Sequence, residues 1–116
     1  MLNGTETNVQ VYIALGVTDM RKSINGLCII VEEELGLDLF TGNLFAFCNR
    51  SRDIVKILYW HHNGFCVWKK RLEKDSFCWP ESEKEVMRIN RSALNWLLHG
   101  LDLSKAHRAL SYQSAT

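Results

Sequence analysis

Between positions 50 and 71 the chain carries six cations, Arg50, Arg52, Lys56, Lys69, Lys70 and Arg71, against one acid, Asp53, with Tyr59, Trp60 and Trp68 set among them. Lysine and arginine side chains neutralise phosphates, and a two-stranded ribbon can enter the major groove, so this stretch is a candidate contact with double-stranded DNA. Strand alternation puts Lys69 and Arg71 on one face, Trp68 and Lys70 on the other, and Lys56 with Leu58 and Trp60. The same residues also suit a structural reading, with the rings in the core and the cations on a solvated face. A second basic pair, Arg21 and Lys22, follows Asp19 in what reads as the first turn of a helix, where cations oppose the helix dipole. Such a mismatch marks either a functional position or a salt bridge to a neighbouring carboxylate. Trp60, Trp68 and Trp79 are the candidate aromatics for a protein contact.

Other chemistries are poorly provided for. Asp19, Asp38 and Asp53 all fall at expected caps or turns, where a carboxylate accepts from free backbone N–H groups. A two-metal nuclease core would need several carboxylates on separate strands. His61 and His62 are neighbours on a strand, where alternation would point them to opposite faces, so they suit a turn better than a shared metal. His99 reads as a helix-end residue, and His107 lies in the tail. Cys28, Cys48, Cys66 and Cys78 are widely spaced, form no C-x-x-C pair and each sit in an apolar stretch, so they read as buried reduced thiols. Neither a phosphate-binding G-x-x-x-x-G-K-[ST] loop nor a G-x-G-x-x-G fingerprint occurs. The expectation is a non-enzyme with no catalytic residue, no metal site and no cofactor.

The elements that must position these residues follow from periodicity. Val9, Val11, Ile13 and Leu15 alternate as in a half-buried strand. Asp19 is placed to cap a helix carrying Ile24, Leu27, Cys28, Val31 and Leu35 at helical spacing, with Gly36 as its stop. Leu37 to Asn43 reads as a loop whose Leu39 and Phe40 tuck onto the core. Leu44 to Phe47 and Ile54 to Trp60 are strands, and Asn63-Gly64 offers positive φ for a tight hairpin into Phe65 to Trp68. Phe77-Cys78-Trp79 reads as a short strand ended by Pro80, and Val86 to Ile89 as an edge strand. Asn90 caps a last helix with Leu94, Leu97 and Leu98 on one face, closed by Gly100.

This order predicts an α+β fold: an antiparallel sheet of about five or six strands with two main helices on one face or one end. At 116 residues and 47% hydrophobic composition the chain suits one core. The domain is expected over 9–103, between a disordered segment 1–8 and a weakly ordered tail 104–116. No run approaches the roughly 18–20 apolar residues of a membrane helix, and the N-terminus lacks the pattern of a secretion signal, so no membrane contact and a cytoplasmic location are expected. A formal net charge of +1 gives the whole molecule no strong field, so any pull on a polyanion must be local.

Several blocks are specific when taken together and in order: Asp19 to Leu27, Phe40 to Phe47, Lys56 to Trp60, Gly64 to Glu73, Phe77 to Pro80 and the final Leu94 to Asp102 segment. They resemble the TnpB accessory-protein family of the IS sixty-six insertion sequences, over about Gly16 to Asp102. The resemblance implies a helper encoded beside a larger transposase that carries the catalytic carboxylates, with the transposase or DNA as partner. It supplies no catalytic residue. Its blocks Asp19-Met20-Arg21-Lys22 and Lys69-Lys70-Arg71-Leu72-Glu73 coincide with the two basic clusters. Two departures from the family pattern, Leu39 in place of a proline and His61-His62-Asn63 in place of an acidic, glycine-containing turn, bear on loop geometry.

Overall fold

The computed structural model describes residues 9–102, so the segments 1–8 and 104–116 singled out above lie outside the described residues. Among the described residues five strands form one sheet in the order β4-β3-β2-β1-β5: β1 Val11–Val17, β2 Leu44–Cys48, β3 Ile54–His61, β4 Gly64–Arg71 and β5 Val86–Ile89. Helix α1, Ile24–Ile29, runs into a π-helical turn at Ile30–Glu34, and helix α2 spans Arg91–Leu98. The class is the expected α+β, with antiparallel pairing everywhere except between β1 and β2, which run parallel. A parallel pair needs a crossover connection, and α1 with its following loop supplies it.

The helices cover opposite faces of the sheet rather than sharing one. Strand alternation is the cause: Val11, Ile13, Leu15, Leu44, Ala46, Cys48, Val55 and Ile57 point to the side of Leu94, Leu97 and Leu98 from α2. Ala14, Phe45, Phe47 and Leu58 point to the side of Leu27, Ile30 and Val31. A strand covered on both faces has no solvent side, which is why all five residues of β2 are apolar and buried.

Several local details differ from the expectations. Asp19 does not cap α1, whose N-cap position is Ser23; its carboxylate instead accepts from the Arg21 backbone N–H at 2.9 Å, closing a turn ahead of the helix. Arg21 and Lys22 therefore precede the helix and meet no dipole mismatch. The backbone N–H of Leu35 donates to the Ile30 carbonyl, the wider i to i+5 pattern, before left-handed Gly36 ends the segment as expected. Leu39 is buried, but Phe40 points outward, because the 3₁₀ turn Leu39–Thr41 sends the two neighbours in different directions. The hairpin pairs His61 with Gly64, so its turn is His62-Asn63, and the left-handed residue is His62 at φ 56° rather than the expected Asn63-Gly64 pair.

Phe77 and Trp79 are buried as their alternation suggests, but 77–79 joins no strand. Arg52 holds this segment instead: its carbonyl accepts from the Phe77 N–H at 2.6 Å and its guanidinium donates to the Trp79 carbonyl at 2.8 Å. Trp79 Nε1 donates to the Ala14 carbonyl at 2.8 Å, inside the core. Asn90 caps α2 as expected, its side-chain oxygen accepting from the Ala93 N–H at 2.7 Å. Of the four cysteines only Cys48 is fully buried; Cys28 and Cys66 are half-buried and Cys78 is exposed.

Candidate nucleic-acid interface

Register places Lys56 directly opposite Lys69, and Ile54 opposite Arg71. Like charges paired across two strands repel. Here Lys56 turns its ammonium away, donating to the carbonyls of Met20 at 2.8 Å and Lys22 at 3.0 Å. Those two bonds fasten the Asp19–Lys22 turn onto the hairpin face that bears Lys69 and Arg71. Two basic clusters far apart in the sequence, at Arg21-Lys22 and at Lys69 and Arg71, thus become one surface.

Lys70 leaves that surface. Strand alternation sends it to the α2 side, where its ammonium donates to the Leu98 carbonyl at 2.7 Å, at the end of α2. A cation there satisfies a carbonyl without an intrahelical partner and complements the dipole. Lys56 and Lys70 are therefore committed to the backbone, while Arg21, Lys22, Lys69 and Arg71 remain on the exposed rim.

The two arginines are held by short-range ion pairs. Arg21 lies 2.7 Å from Asp19 with its side chain 92% exposed, and Arg71 lies 3.0 Å from Glu73 with its side chain 60% exposed. Hydrogen bonds from the Arg21 guanidinium hold the Asp19 carboxyl down at about 2, below its ordinary 3.8. Both pairs lie at the solvated surface, where water screens the attraction, so either guanidinium can exchange its carboxylate for a phosphate. Lys22 and Lys69 have no ion-pair partner among the described residues. Behind the Asp19 turn lies an open cleft of about 380 Å³ whose charges are mixed, Asp19, Glu34 and Glu85 against Lys22 and Lys84, so the cationic field belongs to the hairpin side.

The candidate aromatics divide in the same way. Trp79 is buried, 5% exposed, and Trp68 is half-buried against the α2-side core, on the face opposite the basic surface. Trp60 lies on the α1 side with Phe65, its register partner, at 4.9 Å between ring centroids. Phe40 completes the group, 5.1 Å from Trp60 and 5.6 Å from Phe65, and is itself 59% exposed. Phe40 and Phe65 escaped the sequence reading. Phe65 could have been found, since the hairpin register pairs it with Trp60; Phe40 depends on how the 39–41 turn is aimed.

His61 and His62 stand at the hairpin turn as expected, but their side chains do not part to opposite faces. The left-handed backbone at His62 breaks the strand alternation, and the two rings meet edge to face at 4.1 Å. Among the described residues no three or more His, Cys, Asp or Glu side chains cluster as metal ligands. Asp38 and Asp53 serve turns, Asp38 accepting from the Phe40 N–H and Asp53 from the Asn49 amide.

The hairpin is a free ribbon only at its end. Over Val55–Leu58, β3 is bonded to β2, whereas Tyr59–His61 pair with β4 alone. The available surface is accordingly the two ends of the α1-side face, Lys69 and Arg71 at one end and the hairpin tip at the other, since Leu58 between them is fully buried in the α1-side core.

Comparison with known proteins decides the family. The model of the IS66 Orf2 like protein matches residues 9–108, most of the chain. The chain belongs to the IS66 Orf2-like family. Within Sinorhizobium fredii, an uncharacterized protein y4hO is 40% identical over 95 residues, covering 82% of this chain and 83% of that protein. A second, y4jC, is 26% identical over 105 residues, covering 90% of each. No solved structure matches. Membership makes this IS66 Orf2-like chain an insertion-sequence-associated accessory protein. No helix among its described residues is long and apolar enough to cross a membrane.

Proposed function

We propose that this IS66 Orf2-like protein assists transposition without catalysing it, by contacting DNA phosphates beside the element's transposase. The observation that carries the reading is the union of the two basic clusters. Lys56 holds the Arg21-Lys22 turn against the strand pair that displays Lys69 and Arg71. Lys22 and Lys69 have no ion-pair partner among the described residues, and Arg21 and Arg71 can add to them by exchanging Asp19 and Glu73 for phosphate, so this surface can bind a polyanion although the whole chain is nearly neutral. The deciding experiment is titration of the full chain against labelled DNA across salt. Affinity should fall steeply as salt rises, because every neutralised phosphate releases counterions. Absence of binding at low salt removes direct DNA contact from the proposal.

Docking on the transposase through aromatic surface is the second reading, and the exposed ring of Phe40 beside Trp60 favours it. Trp79 is buried and Trp68 half-buried against the α2-side core, so this reading centres on Trp60 and Phe40. Co-purification with the transposase that survives nuclease treatment would establish this reading.

A further inference from the structure

We infer that the nucleic acid held on this surface is single-stranded, with one or more unpaired bases stacked on the Phe40–Trp60–Phe65 cluster. The inference rests on the DNA-contact reading above and narrows it.

Three observations carry it. Phe40 is the one exposed phenylalanine, tyrosine or tryptophan among the described residues, and it is held in place by two further rings. A ring fixed at the surface by its neighbours is a rigid π-face, already ordered before a base arrives. The cluster and the cations also share one side of one hairpin. By register, successive rungs on the α1 side are Trp60 with Phe65, Leu58 with Val67, Lys56 with Lys69 and Ile54 with Arg71. At about 3.3 Å per residue, Lys69 lies roughly 13 Å and Arg71 roughly 20 Å along the strands from the aromatic rung. Leu58 between them is buried in the α1-side core, but β4 is the outer strand of the sheet, so a strand whose base stacks on Phe40 can run its phosphates along that edge toward Lys69 and Arg71.

Strandedness follows from the chemistry of the two parts. Bases in a duplex are already stacked and paired, and offering a π-face to a surface ring requires unstacking them at a cost of a few kcal/mol per step. An unpaired strand presents such faces freely, and aromatic stacking beside a cationic track is how sequence-tolerant single-strand binders hold it. The covered faces of β3 and β4 point the same way, because only the tip is shaped to enter a groove.

The test compares an oligothymidylate of about 20 nucleotides, longer than the roughly 4–16 nucleotides such a domain covers, with a duplex of equal length at one salt concentration. The full wild-type chain should prefer the single strand, and binding should quench tryptophan emission, with the quench reduced in Trp60→Phe. Phe40→Ala should weaken single-strand binding by roughly 5- to 150-fold while leaving duplex binding within about twofold. Phe40→Tyr, which keeps the π-face, should bind as wild type, whereas Phe40→Leu, which keeps only apolar bulk, should bind like the alanine variant. Lys69→Met should weaken both ligands. Equal single-strand affinity in Phe40→Ala and wild type, or preference for the duplex, overturns the inference and leaves the DNA-contact reading standing. Failure to bind either ligand overturns both.

Discussion

Lys69 and Lys70 are neighbours of the same type with different partners, and replacing each by methionine should separate folding from binding. Lys70 donates at 2.7 Å to the Leu98 carbonyl, in a part-buried bond at the end of α2. A hydrogen bond to a charged group contributes about 1.5–3 kcal/mol. The dipole at a helix C-terminus adds roughly 0.3–1 kcal/mol, partly through the same contact. Methionine retains the apolar stem along the sheet, so a net loss of about 2 kcal/mol is expected for Lys70→Met. With a urea dependence of about 1–3 kcal/mol per molar for a small domain, the unfolding midpoint should fall by about 1 M. Lys69 is exposed and faces Lys56 across the strands, so Lys69→Met should change stability by no more than about 0.5 kcal/mol. Binding should show the reverse order. Lys69→Met should flatten the dependence of log affinity on log salt by about 0.7 for a single strand, one phosphate's share, while folded Lys70→Met keeps the wild-type slope. Equal stability losses, or a salt slope that changes in Lys70→Met and not in Lys69→Met, would refute this division of labour.

Other outcomes follow from individual contacts. Asn90→Ala removes the α2 cap and should cost about 1 kcal/mol, read by urea unfolding. The Asp19 carboxyl, held at about 2 in the folded chain, should titrate there by NMR, and Arg21→Ala should return it toward 3.8. Because the folded value is depressed, the Asp19–Arg21 contact is fully present above pH 4 and is lost as pH falls through about 2. Burial pushes the Cys48 thiol up to about 11, so at pH 8 only about one in a thousand is thiolate. Brief alkylation of the native protein followed by peptide mapping should accordingly label exposed Cys78 and spare Cys48 until denaturant is added.

Features set by local chemistry were legible before the structure. The Asn90 cap, the stop at Gly36, the apolar β2 run and the hairpin joining β3 to β4 all depend on a few adjacent residues. Partners far apart in sequence were not. The parallel union of β1 with β2 and the separation of the helices onto opposite faces arise from long-range packing that periodicity does not encode. Phe77 and Trp79 alternate like a strand because both face inward, yet their backbone is bound by Arg52 rather than by a sheet. Asp19 shows how similar turn chemistry can sit a few residues early: its carboxylate does accept backbone N–H, but in the turn before α1. For the site, composition revealed the basic stretch and alternation divided its faces. Which ammonium groups would turn onto carbonyls, as those of Lys56 and Lys70 do, depends on distant backbone.

The place of β1 has a consequence for how the chain is made. First in sequence among the strands of the described residues, β1 lies inside the sheet, bonded to β2 on one side and to β5 on the other. During N-to-C synthesis β2, β3 and β4 can assemble from neighbouring segments. The other flank of β1 must wait for Val86–Ile89, and the face holding Val11, Ile13 and Leu15 must wait for the leucines of α2. A nascent or prematurely ended chain that stops before β5 therefore carries an open apolar edge, the kind of template on which strands from different molecules pair. Closure by β5 and α2 covers that edge and the apolar face beside it, so these late-made elements guard the domain against aggregation.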